Sequence, residues 1–276
     1  IRPAPKGERK VVLATDIAET SLTIEDVRIV VDAGLTRTPA FDPNTATTRL
    51  HTQAISQANA EQRAGRAGRT QAGVCYRLWT QNQQQQKAQH LPAEIINADL
   101  TPLAITLLGW GVGHPSELNW LNPPSEAHWQ QACDTLQKLG AFESGQLNAQ
   151  GTALANLPCH PRLGTMLLQA NTHKTPFTGA LLAAILSDKI PPNAPTDLSE
   201  ILYLMAQNNS GRLSKNWVSR MRQQAKQFLA ALGAKASEID DSITGQLLAS
   251  AYADRIAKKR HERNGFATYQ LANGRS

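Results

Sequence analysis

The first eighty residues alternate short β-branched runs with turn-like and helical stretches. Lys10 to Ala14 and Arg28 to Val31 are apolar runs bounded by polar residues, which predicts buried strands of the parallel kind. A polar turn over Thr20 to Asp26 separates them. Thr36 to Phe41 and Thr47 to Thr52 flank Asp42-Pro43-Asn44-Thr45, a turn sequence that predicts a β-hairpin. Ser56 to Ala67 has the composition of a helix, and Val74 to Trp79 of a further strand. Strands alternating with helices indicate an α/β layer.

Beyond Thr80 the pattern becomes mainly helical. The polar run Gln81 to Gln86 reads as a linker or a short exposed helix. Leu100 to Trp110 is one apolar helix. Ser125 is placed to cap Glu126 to Leu139, which Gly140 closes. Ala141 to Leu147 turns at Ser144-Gly145 as a two-stranded wing, and Gln150 to Asn156 is another short helix. Together these make a winged-helix pattern. Its main helix carries Glu126 and Asp134 against a single Lys138, the wrong charge for a groove-reading helix, so the wing reads as structural. About five helices follow. The clearest is Ser214 to Leu232, where Trp217, Val218, Met221, Phe228, Leu229 and Leu232 form a core stripe and Gly233 ends the helix. The expected class is therefore α/β followed by mainly α. Its divisions are an α/β lobe at 1–80, a linker at 81–93, a winged helix at 94–156, a helical bundle at 157–260 and the start of a further domain at 261–276.

Charge sharpens this division. The chain carries net +6, distributed as +3 over residues 1–80, −4 over 81–160 and +7 over 161–276. A polyanionic partner is expected to touch the two ends rather than the middle. On the long helix Lys215, Arg222 and Lys226 fall within about 40° of one another, a face that is either solvated or tracks phosphates. No run of eighteen apolar residues occurs, so no membrane span is expected. Cys75, Cys133 and Cys159 show no metal spacing, and reduced thiols in a cytoplasmic protein are the default.

The densest chemistry lies in Ala60-Glu-Gln-Arg-Ala-Gly-Arg-Ala-Gly-Arg69. Glycine costs about 1 kcal/mol relative to alanine inside a helix, yet Gly65 and Gly68 sit where the helix is expected. In a continuous helix Gln62, Arg66 and Arg69 fall within about 60° of one another beside the bare glycines, while Arg63 lies off by about 100°. Guanidinium forks bind phosphate oxygens two at a time, so this face is shaped for a polyanion, and Arg63 is expected to matter much less.

These residues resemble the Q-x-x-G-R-x-G-R motif that closes the ATP site in superfamily 2 helicases. Leu13 to Ile24, LATDIAETSLTI, resembles the preceding motif of the DEAH-box branch, T-N-I-A-E-T-S-L-T-I, at that branch's spacing. The runs LPCHPRLGTMLL (157–168) and YQLANGRS (269–276) extend the resemblance across essentially the whole chain, towards bacterial members of the branch. The resemblance implies a second RecA-like lobe at 1–80 and a ratchet-like bundle lying along nucleic acid. It implies that Gln62 orients the attacking water and that Arg66 and Arg69 reach the γ-phosphate. It places Ser21 at the phosphate end of ATP, with Thr23 and Glu25 near the ribose. Glu25 stands where the family often has Asp. Thr15, Asp16 and Thr20 fall on the segment that holds a phosphate of a single strand, and Arg37 and Arg49 on a hairpin at one end of the bound strand. Asp16 replaces the family Asn. A carboxylate repels phosphate, so either Asp16 faces away or that contact is lost.

No G-x-x-x-x-G-K-[ST] loop and no Asp-Glu-Ala-His box occurs. Gly109 to Gly113 follows a helical pattern rather than a strand and fails the context for a nucleotide loop. The chain begins at Ile1 without methionine and reads as the C-terminal side of a longer helicase, starting inside the second lobe. ATP with Mg2+ is the implied cofactor, with no metal ligands here and the ligands expected in a first RecA-like lobe of the same polypeptide. Single-stranded RNA or DNA is the implied partner. The chain alone is expected to be catalytically inactive. A stand-alone nucleic-acid-binding module is the alternative.

Overall fold

The computed structural model describes residues 5, 7–20, 24, 27–42, 47–69, 71–207, 212–263, 266–272 and 274. The chain divides into two compact units, Ile1–Asp99 with Trp120–Ser125, and Leu100–Asn119 with Glu126–Ser276.

In the first unit a single helical turn, α1 (Ile17–Thr20), precedes strands β1 (Ile29–Asp32), β2 (Leu35–Asp42) and β3 (Thr47–Ala54). Helix α2 (Gln57–Ala64), strand β4 (Val74–Arg77) and helix α3 (Gln81–Gln86) follow. Strands β1 and β4 pair in parallel, from Ile29 opposite Val74 to Asp32 opposite Arg77. Strands β2 and β3 form the expected hairpin, from Leu35 opposite Ala54 to Asp42 opposite Thr47. Its turn at 43–45 lies outside the described residues.

Two strand expectations change. Lys10 to Ala14 joins no ladder among the described residues, and Val11 and Leu13 are 86% and 94% exposed. A strand exists only beside a neighbour, and the one described partner of β1 is β4. The β1–β4 pair is also not buried on both faces. Helix α2 lies against β1, whereas Ile29, Val31, Val74 and Tyr76 share the other face and are exposed. The polar run at 81–86 is a short exposed helix, capped by the Thr80 side chain on the Gln83 amide.

The second unit begins with α4 (Thr101–Gly109), α5 (Glu126–Lys138), the two-residue strands β5 (Phe142–Glu143) and β6 (Gln146–Leu147), and α6 (Ala149–Ala155). The β5–β6 turn places Ser144 and Gly145 at φ 51° and 83°, the primed geometry that matches strand twist. Leu107, Trp129, Leu136 and Leu154 are the buried side chains where α4 packs on α5 and α6.

Among the described residues five α-helices follow: α7 (Pro161–Thr172), α8 (Pro176–Ser187), α9 (Leu198–Ala206), α10 (Lys215–Leu232) and α11 (Thr244–Ala251). Helix α8 is buried from Thr178 to Ile185 and packs on α7 and α10. A Cβ on Gly179 would stand 2.3 Å from that of Ala170, so only glycine admits this approach of α7. Trp217, Met221, Phe228 and Leu229 are buried as the periodicity of α10 predicts, and Gly233 closes the helix at φ 66°. Buried Arg162 at the start of α7 grips Asp254 with both amino groups, at 2.7 and 3.0 Å, and donates to the Ala251 carbonyl at 2.9 Å. The chain then enters a hairpin of β7 (Ala257–Arg263) and β8 (Phe266–Leu271). No helix of the described residues is long and apolar enough to cross a membrane.

Candidate functional site

Helix α2 starts on a reciprocal cap. The Ser56 hydroxyl accepts from the Asn59 amide at 3.1 Å, and the Asn59 side chain accepts from the Ser56 amide at 3.3 Å. The helix ends at Ala64, earlier than the sequence predicts. The Gly65 amide still reaches Glu61 O at 2.8 Å, but Arg66 and Ala67 bond back only three residues, to Arg63 and Ala64, at 3.1 and 3.0 Å. The glycines are the physical reason, since both weaken the helix at the point where the chain tightens. Gln62 therefore stands on the helix, while Arg66 and Arg69 leave it on a turn. The single straight helical face is corrected accordingly.

Arg63 is the most heavily bonded side chain of this region. Its Nε donates to Glu19 at 2.9 Å, its Nη1 to Asp32 at 3.0 Å and to the Leu35 carbonyl at 3.1 Å, and its Nη2 to Asp16. Burial works against the charge. The hydrogen bonds to Glu19 and Asp32, with the charges of Asp32 and Asp16, outweigh it and hold the guanidinium above its ordinary pKa. Asp16 also accepts from the Thr36 hydroxyl at 2.6 Å, and Asp32 from the Gly34 amide at 2.9 Å. Asn59 donates to the second oxygen of Glu19 at 2.5 Å. One cation thus ties α1, the end of β1, the base of the hairpin and α2 together. Sequence reasoning set Arg63 aside, placed Glu19 only on the loop after Asp16, and did not identify Asp32 or Asn59. The available signal was three carboxylates, at 16, 19 and 32, preceding a helix whose inward face holds one arginine.

The other expected residues divide clearly. Arg66 is half-buried and donates to the Glu19 carbonyl. Gln62 and Arg69 are exposed, as are Thr15 before α1 and Thr20 at its end. Asp16 is turned inward to Arg63 and Thr36, the first of the two alternatives left by its sequence. Ser21, Thr23 and Glu25 lie outside the described residues. Arg37 pairs with Thr52, and Arg49 with Ala40. Residues 37 and 40 differ in parity along β2, so the two arginines stand on opposite faces of the hairpin. In the second unit Lys215 and Lys226 are exposed, whereas Arg222 is half-buried and donates to the Met205 carbonyl at 2.7 Å, at the end of α9. Among the described residues no group of three or more His, Cys, Asp or Glu side chains could hold a metal ion.

Comparison with known proteins converges on one family. The model of the helicase conserved C-terminal domain matches residues 1–71, the stretch holding α1, the hairpin, α2 and the arginine turn. The ATP-dependent RNA helicase HrpB of Escherichia coli strain K12 is 42% identical over 274 residues, covering 99% of this chain and 32% of HrpB. The probable ATP-dependent RNA helicase DHX34 of Mus musculus is 39% identical over 189 residues, covering 68% of this chain and 16% of that protein. A crystal structure of the Escherichia coli DEAH/RHA helicase HrpB matches with a TM-score of 0.86 at 42% identity, over 99% of this chain and 33% of that one. The chain spans about a third of the length of HrpB and less of DHX34. The fold is that of the helicase C-terminal, RecA-like region followed by helical and sheet elements, as in HrpB. With a helicase-domain match over the site and a likeness to HrpB that runs from end to end, this chain belongs to the DEAH-box helicase family.

Proposed function

We propose that this chain supplies the second-lobe side of the ATP site of an ATP-dependent RNA helicase, with the nucleic-acid-binding elements that follow it. The observation that carries this reading is the arginine turn and its two glycines. A Cβ on Gly68 would meet nothing within 4 Å, and one on Gly65 would make only ordinary contact at 3.4 Å with the Gln62 and Glu61 carbonyls. Neither glycine is needed for internal packing. Both leave open surface beside Gln62, Arg66 and Arg69, where a phosphate chain fits closely.

Phosphoryl transfer needs charge neutralisation and an aligned water more than covalent chemistry. Gln62 orients that water, because an amide donates and accepts at once. Arg66 and Arg69 neutralise charge on the transferring group and stay charged at any physiological pH. Ser21, Thr23 and Glu25 serve the phosphate end and the ribose of ATP. Mg2+ supplies further charge neutralisation when bound, through carboxylates of a first RecA-like lobe.

Thr15 and Thr20 contact a phosphate of single-stranded RNA, while Asp16 braces that segment through Arg63. Arg37 and Arg49 act from separate faces of the hairpin. In the second unit Lys215 and Lys226 follow the backbone, and Arg222 is partly committed to α9. Helices α4 to α6 with β5 and β6 serve as a structural winged helix, and α7 to α11 as a ratchet-like bundle.

Strand separation tests the reading. The parent protein, joined to its first lobe, is expected to unwind a duplex with a single-stranded overhang only while ATP is hydrolysed. Hydrolysis with no strand separation, or separation equally fast without ATP, would overturn it.

A further inference from the structure

Helix α1 is one turn of four residues, too short to be stable alone. Asp16 just before it is held by Arg63 and Thr36, and within it Glu19 is buried at 7% exposure. Three residues of α2 and its turn hold this one residue. Asn59 donates to one carboxylate oxygen at 2.5 Å, Arg63 Nε to the other at 2.9 Å, and Arg66 to the backbone carbonyl. Asn59 and Arg63, four apart, share one side of α2, and Arg66 reaches the same residue from the turn that follows. Thr15 before α1 and Thr20 at its end are both exposed, and the Ala18 amide bonds to Thr15 O at 3.1 Å. Glu19 therefore links this segment directly to the Arg66 guanidinium, beside the contacts of Asp16 to Arg63 and Thr36.

We propose that Glu19 is a positioning residue that places Arg66 and makes its placement depend on nucleic acid bound at Thr15 and Thr20. This rests on the helicase reading above. Glu19 touches neither ligand. Its carboxylate locks α1 to Asn59 and Arg63, and its carbonyl holds the arginine that acts on phosphate. Two ligands that bias one segment are coupled, each altering the response to the other.

The donor pattern suggests the test. In Glu19→Gln the new amide can accept from Arg63 only by turning its NH2 towards the Asn59 NH2, so one contact becomes donor against donor. Asn59 cannot flip to relieve this, because its oxygen already accepts from the Ser56 amide and hydroxyl, at 3.3 and 2.5 Å. Adding Asn59→Asp restores complementarity, since one new oxygen keeps the Ser56 contacts and the other accepts from the new amide.

The experiment uses the parent protein with both lobes, poly-uridylate as RNA, and thermal unfolding of each preparation to confirm equal folded fractions. Glu19→Gln is expected to lower the RNA-stimulated kcat for ATP about tenfold with KM for ATP within about twofold, a coupling of ordinary size. The double variant Glu19→Gln/Asn59→Asp is expected to recover most of that loss. An unchanged kcat in the single variant overturns the proposal. So does a loss that the double variant does not recover, or one that matches a fall in folded fraction. A wild-type parent without RNA-stimulated hydrolysis is a different result, seen before any variant is made, and it removes the helicase reading itself.

Discussion

In a protein that joins this chain to a first RecA-like lobe, Arg66→Ala or Arg69→Ala is expected to lower the maximal ATPase rate by about 10³ to 10⁵, or about 4 to 7 kcal/mol of transition-state stabilisation. ATP affinity should change far less. Charge on the phosphoryl group is distributed differently in the transition state than in bound ATP, and a guanidinium that meets it there acts on kcat rather than on binding. Arg69→Lys should recover little, since an ammonium lacks the planar fork. Arg66 starts from the Glu19 carbonyl and Arg69 from solvent, so the two are held differently before nucleotide binds. Steady-state kinetics with nucleotide-binding titrations decide the point. Equal losses in affinity and turnover would make these arginines ground-state binders instead.

The second large effect is on stability. Arg63→Ala leaves Asp32 and Glu19 without their shared cation in a site where their side chains are only 2% and 8% exposed, and Asp16 loses it as well. Among the described residues Asp32 Oδ2 has no hydrogen-bond partner, so Arg63 supplies most of the compensation for that carboxylate. Removing one partner of a buried ion pair costs about 3 to 5 kcal/mol, because the charge left behind stays buried. Denaturant titration of the chain should show a loss of that size for Arg63→Ala. Arg63→Lys should recover only part, since one ammonium cannot meet carboxylates on three separate segments. A change below about 0.5 kcal/mol, the size of an ordinary surface substitution, would mean that the cluster is solvated and the cation dispensable. The expectation from helical geometry alone, that Arg63 matters much less than Arg66 and Arg69 to turnover, counted only what faces a ligand. The structure adds what faces the protein.

Local signals made much of the fold legible. Asp42-Pro43-Asn44-Thr45 between β-branched runs marked the hairpin. Gly140 and Gly233 marked the ends of α5 and α10, both at positive φ. The Trp217-to-Leu229 stripe marked a buried helix face. Each of these depends on residues a few positions apart. What escaped depends on partners distant in sequence. The carboxylates that meet Arg63 lie 31, 44 and 47 residues before it, and no periodicity relates them. The strand expected at Lys10 to Ala14 failed for a related reason, since composition marks a segment that suits a ladder but does not provide the neighbour. At the arginine motif the residue types were readable and the backbone was not. Two glycines close together turned an assumed helix into a turn, so Arg66 and Arg69 stand beyond the end of α2 rather than on it.

The central claim is that this chain completes an ATP site whose phosphate loop and metal ligands belong to another lobe. Phosphate release, measured with and without RNA, from this chain alone and from the same chain joined to a first RecA-like lobe tests it most directly. The expected result is no release above buffer from the chain alone and RNA-stimulated release from the joined protein. Robust release from the purified chain by itself, or a joined protein no more active than its first lobe, would contradict it.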